Sequence, residues 1–207
     1  MQAFTTHTGV AAALLRSNID TDAIIPSREM KTVSKTGLSI GLFAGWRYTD
    51  VPTRTPDPDF VLNHPAQQGT SILLAGLNFG CGSSREHAVW ALKEYGIRVV
   101  IAPSFGAIFA GNCVRNGLLP VVLPATQIAA LAASVAPDPQ RLQLQVDLQH
   151  CVVTDAAGQR HVFTLAASQR EMLLKGLDPI ALTLELAPQI DAFQAQDRAA
   201  RPWVYLP

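Results

Sequence analysis

Between Ser71 and Val135 the sequence alternates between two patterns. "SILLAGLNF" is a short apolar run with the length and composition of a buried strand. "SREHAVWALKEYG" follows with Ala88, Ala91, Leu92 and Tyr95 on one helical face, and Gly96 ends it. "IRVVIA" is again strand-like. "SFGAIFAGNCVRNG" is helical, with Ile108, Phe109, Asn112 and Cys113 at helical spacing. "LLPVVL" and "ATQIAALAASV" repeat the pair. This βαβαβα order predicts a partly parallel sheet with helices on its faces.

The flanks differ from the centre. "FTTHTGVAAALL" predicts one or two strands. "SNIDTDAIIPSREMK" reads as a turn, broken at Pro26, with a short helix near Ser27. From Gly45 to Gly69 the chain has no period, and Pro52, Pro56, Pro58 and Pro65 fall within fourteen residues. A long loop at about 45–70, with little apolar content to bury, is expected there. Beyond it "RLQLQVDL" alternates strictly, placing Leu142, Leu144, Val146 and Leu148 on one face. "CVVTDAAGQRHVFTL" predicts a hairpin turning at Asp155–Gly158. "SQREMLLKG" has a capping-box pattern in Ser168 and Glu171 and a stop at Gly176. A last helix follows Pro188 and runs to about Arg201. The fold class is α/β with an antiparallel C-terminal addition, in one domain spanning 1–207.

Composition narrows the function. The 207 residues carry no formal net charge, and no basic stripe favours nucleic acid. No apolar run is long enough to span a bilayer. The N-terminus lacks a basic start and apolar core, so the reading is a cytoplasmic protein without nucleic-acid or membrane partners. Charged residues make up 15%, against roughly a quarter in a typical soluble domain. The shortfall hints at surface covered by a partner. Cys81, Cys113 and Cys151 are far apart and form no metal-ligand spacing, so no metal is expected on this chain. Cys113 and Cys151 read as reduced and mostly buried.

The chemistry concentrates in "NFGCGSSREHA", Asn78–Ala88. A strand, a glycine-rich turn and a helix start make an anion site, because free N–H groups and the helix dipole favour negative charge. Gly80 and Gly82 permit close approach or positive φ. Ser83 and Ser84 add hydroxyls, and Arg85 adds a planar fork that matches a carboxylate. The same residues fit a second reading. Ser83 and Glu86 match a capping box, which makes Ser83 a stabilising cap. His87 reads as a packed or surface histidine rather than a base. Asp20 and Asp22 alone make a poor metal site and read as turn or cap residues.

This stretch, with "VVIAPSFGAIFAGNCVRNGLLPV", resembles the swivelling β/β/α domain of the aconitase superfamily. "NIDTDAIIP" at Asn18–Pro26, "LFAGWRY" at Leu42–Tyr48, "PDFVLN" at Pro58–Asn63 and "GLDPIALTL" at Gly176–Leu184 extend the likeness to the 3-isopropylmalate dehydratase small subunits, almost end to end. The resemblance implies a hydro-lyase that interconverts 2- and 3-isopropylmalate in leucine biosynthesis. It implies a large partner subunit carrying a [4Fe-4S] cluster, with no cluster on this chain, and a small diacid substrate. It gives Ser83 the role of base, and Ser84 and Arg85 that of carboxylate binders. Asp20, Asp22 and Gly82 become supporting residues, while Lys31 and Arg47 become further substrate contacts. Two departures stand out: "GWR" at Gly45–Arg47 where relatives often have "DWR", and "SFGAIF" at Ser104–Phe109 where they often have "SFADIF". The first keeps a paralogue for citraconate, dimethylmaleate or homoaconitate open. A non-catalytic anion-binding module is the reading from a different class.

Overall fold

The computed structural model describes residues 1–30 and 34–205. β1 (Thr6–Leu14) leads through α1 (Thr21–Ile24) to α2 (Ala44–Arg47), a hairpin of β2 (Tyr48–Asp50) and β3 (Thr55–Pro56), and β4 (Thr70–Ala75). The alternating centre follows as α3 (Glu86–Tyr95), β5 (Val99–Ala102), α4 (Ala107–Asn116), β6 (Leu119–Val122) and α5 (Ala125–Val135). β7 (Leu144–Asp147), β8 (Val152–Thr154), β9 (Arg160–Val162), α6 (Ala167–Lys175), α7 (Pro179–Leu184) and α8 (Ala187–Ala200) complete the chain.

One seven-stranded sheet runs in the order β6-β5-β4-β1-β7-β8-β9. Its β1, β4, β5 and β6 pairs are parallel, and the pairs from β1 through β7 and β8 to β9 are antiparallel. β1 is therefore the seam between the predicted parallel centre and the antiparallel addition. Side chains alternate across a strand, so the two faces feed two cores. Leu73, Ala75, Val100 and Ala102 pack with Ala88, Val89 and Leu92 of α3. Ile72, Leu74, Val99 and Ile101 pack with Ile128, Leu131 and Val135 of α5. Helices on both faces explain why β5 is buried at every position and reads as a continuous apolar run.

The N-terminal segment forms one strand, β1, within the one or two expected. Other expectations need correction. The "DTD" turn contains a helical turn, α1, capped by Asp20, and Ser27–Glu29 is a 3-10 turn. The proline-rich stretch is not featureless: it contains the β2–β3 hairpin and two 3-10 turns, and it buries Phe60 and Leu62 in the core. Their burial follows no period because the chain folds back on itself between them and the hairpin. Leu142 lies before β7 and is only partly buried. The hairpin turn at Asp155–Gly158 forms, with the Asp155 carboxylate accepting from the amides of Ala157 and Gln159 at 3.0 and 2.8 Å. Gly176 stops α6 in a left-handed conformation. The Ser168–Glu171 capping box does not form, because α6 begins at Ala167 and Glu171 pairs with Lys175 at 2.8 Å.

Candidate active site

The loops that leave the carboxyl ends of β1, β4 and β5 are stitched together by main-chain bonds. The Gly80 amide donates to the Ile19 carbonyl at 2.7 Å, and the Thr21 amide donates to the Cys81 carbonyl at 3.0 Å. The Phe79 amide donates to the Ser104 carbonyl at 3.0 Å, and the Gly106 amide donates back to the Phe79 carbonyl at 2.9 Å. The Asn78 amide also donates to the Ser104 hydroxyl at 2.9 Å. Ligands in open α/β sheets bind at this carboxyl edge.

The stitching leaves a pocket of about 260 Å³. Gly80, Cys81, Gly82, Ser83 and Arg85 form one wall, Thr21 closes one side, and the first turn of α4 forms the other wall. Gly80 has φ +72°, and a β-carbon there would stand 2.2 Å from the Phe109 ring. The main chain has to pass this close for the two walls to meet. Gly82, at φ +86°, turns the chain so that Ser83 is exposed. The Ser83 carbonyl accepts a bond from the buried Thr21 hydroxyl at 2.9 Å. The Ser83 hydroxyl makes no hydrogen bond within the described residues and is open to a ligand.

The capping-box reading of Ser83 fails. α3 begins at Glu86, its N-cap is Arg85, and no side chain caps it. The Glu86 carboxylate instead accepts from the Asn116 side-chain amide at 2.6 Å. The tertiary contacts of the 19–21 segment fix the loop in a path that keeps Ser83 out of the helix.

The start of α4 lines the pocket as well as Arg85, the N-cap of α3. The N-cap of α4 is Gly106, with no side chain over it, and Ala107 and Ile108 line the pocket. The amides of a first helical turn have no partner within the helix, so this wall offers N–H groups and the positive end of the dipole. Neither Gly106 nor Thr21 stood out in the sequence. The glycine opening the α4 segment was the available signal for the first; the second is one threonine between two aspartates.

The other candidates are placed as follows. Arg85 donates through Nη1 to the Asp22 carboxylate, and its side chain is 21% exposed. Asp20 caps α1, accepting from the Ala23 amide at 2.7 Å. Ser84 is exposed beside Ser83 but does not line the pocket. Arg47 is held elsewhere: Nη1 donates to the Ser39 carbonyl at 2.9 Å, and the guanidinium lies 5.0 Å from the centre of the Tyr95 ring. Lys31 lies outside the described residues. His87 packs on the Trp90 ring at 4.7 Å between centroids, as a packed histidine does. Among the described residues no three His, Cys, Asp or Glu side chains converge as a metal site, and Cys81 is the cysteine that lines the pocket.

Residues 1–126 match the family model of the aconitase C-terminal domain, and residues 180–205 match the C-terminal domain of 3-isopropylmalate dehydratase small subunits. A 3-isopropylmalate dehydratase small subunit of Cupriavidus necator is 66% identical over 205 residues, covering 99% of both chains. This chain belongs to the 3-isopropylmalate dehydratase small-subunit family. The relative from Methylibium petroleiphilum is 47% identical, covering 99% of this chain and 97% of its own. The crystal structure of a 3-isopropylmalate dehydratase from Methanocaldococcus jannaschii superposes with a TM-score of 0.65 at 27% identity, over 90% of this chain and 99% of the other. The family carries the swivelling α/β fold, and its members are hydro-lyase subunits. No described helix is long and apolar enough to cross a membrane.

Proposed function

We propose that this chain is the small subunit of a cytoplasmic 3-isopropylmalate dehydratase, acting with a large subunit in leucine biosynthesis. One observation carries the reading: Ser83, whose hydroxyl has no hydrogen-bond partner among the described residues, lines a pocket together with Arg85 and the start of α4, which no side chain caps.

The reaction removes a proton and a hydroxyl from adjacent carbons of a dicarboxylate, then returns water the other way round. Ser83 Oγ takes the proton from the carbon α to a carboxylate. A serine hydroxyl is a very weak base, so its surroundings must favour negative charge at that oxygen. Arg85 and the α4 amides do this without rearranging, which is where preorganised donors contribute most. Arg85 has five N–H donors, and the bond to Asp22 engages Nη1 alone, so the rest of the fork is available to a substrate carboxylate. Ser84 donates to that carboxylate from the rim.

Asp20, Asp22, Thr21 and Gly82 support the site: they cap, pair, brace and turn the loops that carry Ser83 and Arg85. Lys31 and Arg47 stay further substrate contacts on the strength of the family resemblance alone, and Arg47 Nη1, bound to the Ser39 carbonyl, sets the path of the 39–48 segment. The large subunit carries the [4Fe-4S] cluster, which supplies Lewis acidity to the departing hydroxyl when the complex forms. The lack of cluster spacing among Cys81, Cys113 and Cys151 fits that division of labour.

The test is reconstitution with the cognate large subunit under anaerobic conditions, following enoate absorbance with 2- and 3-isopropylmalate. Turnover of both is expected. Turnover of citraconate, dimethylmaleate or homoaconitate in their place would replace the substrate, and no turnover of any diacid would leave an anion-binding module.

A further inference from the structure

The end of the chain does not pack like the rest. No residue between Asp178 and Tyr205 is buried, although this segment includes all of α7 and α8. Its large apolar side chains face outward: Ile180 is 73% exposed, Leu184 62%, Phe193 62% and Trp203 73%. What holds the segment is polar and mostly local. Asp178 caps α7, Asp197 binds Arg201 and Tyr205, and a Lys175–Glu185 ion pair ties the start of the segment to α6.

Helices of this length are marginal in water without an apolar face buried against something. Exposed apolar side chains recurring along one terminal segment, here on α7 (Ile180, Leu184), α8 (Phe193) and the 3-10 turn Pro202–Val204 (Trp203), point to an interaction surface. The two family matches indicate what covers it. Residues 1–126 match a unit named as the C-terminal domain of aconitase, where it is the end of a longer chain. Residues 180–205 match a unit named for the separate small subunits. A covalently joined domain meets its neighbour at high effective concentration, and a free subunit does not. The added segment is therefore placed where a free subunit needs more binding energy.

We propose that residues 178–205 are a docking arm that binds an apolar surface of the large subunit through Ile180, Leu184, Phe193 and Trp203, in place of the covalent tether. Aromatic anchors of this kind dominate interface energies. The proposal rests on the reading that the chain works with a cluster-bearing partner.

The test uses the full chain. Hydrogen exchange of α8 is followed with and without the large subunit, and affinity is measured for a Phe193→Ser, Trp203→Ser double variant. The α8 amides should exchange rapidly in the isolated chain and slow on complex formation. The double variant should bind about a hundredfold more weakly or worse, with an unchanged melting temperature. Wild-type affinity in the double variant overturns the arm alone. So does α8 protection in the isolated chain that rises with protein concentration, which would make a second copy the occupant. Failure of the wild-type chain to bind any large subunit overturns the partner reading and the arm with it.

Discussion

Arg85, on the loop after β4, is ion-paired with Asp22, on the helical turn after β1. The bond joins two loops of the carboxyl edge and holds Arg85, which lines the same pocket as Ser83. Asp22 is 54% exposed, and exposed pairs add about 0–1 kcal/mol to stability. The pair therefore serves orientation more than stability. Asp22→Ala should leave denaturant unfolding nearly unchanged but raise KM for the diacid. Arg85→Lys, which keeps the charge and loses the fork, should lower kcat/KM by about ten- to a hundredfold. A large loss of stability with unchanged KM in Asp22→Ala would contradict the assignment.

Two glycines should respond in opposite senses. Gly80 needs positive φ and has no room for a β-carbon beside Phe109. Gly80→Ala should destabilise by about 1–3 kcal/mol. Gly111 sits inside α4 with open space around it, so Gly111→Ala should stabilise by about 0.5–1 kcal/mol. Denaturant midpoints compare the two directly.

Glu94 gives an acid-limb prediction. Burial pushes its carboxyl upward, but the amides of Gly37, Ser39 and Leu38 outweigh that and hold it below the usual glutamate value. A lowered folded value means stability fully present above the unfolded value, about pH 4.3, and lost as pH falls through the folded one. The melting-temperature gap between the wild type and Glu94→Gln should be constant from pH 7 to 5 and close below pH 4 or so. A gap that persists at the lowest pH would show that the amide contacts do not depend on charge.

The cysteines should separate by reactivity. Cys113 is fully buried, and burial pushes its thiol well above the usual range. Cys81 lines the pocket, and Cys151 is half-buried. A thiol reagent on the native chain should modify Cys81 and Cys151 before Cys113, and peptide mapping reads the order. Early modification of Cys113 would contradict the packing around α4.

The central fold was legible because β4 and β5 are covered on both faces. Short apolar runs between amphipathic helices have few other solutions. The boundaries of the site were not legible, because long-range bonds set them. Nothing local to Ser83 shows that the Thr21 hydroxyl will hold its carbonyl, or that Asn116 will engage Glu86 and leave the capping box unformed. The anion-binding chemistry was visible in Ser83, Ser84 and Arg85. That the start of α4 shares their pocket depends on how the loops after β4 and β5 meet. The order within the proline-rich stretch was hidden for a related reason: Phe60 and Leu62 are buried by chain reversal and not by a repeating face.

Ser83 is the centre of the account, so Ser83→Ala in the reconstituted complex tests it most directly. Complex formation with the large subunit should be unchanged, because the Ser83 contact to Thr21 runs through its carbonyl and not its hydroxyl. Turnover should fall by about a thousandfold, as expected for loss of a general base. Turnover near the wild-type rate, with the complex intact, would contradict the assignment of Ser83 as the base.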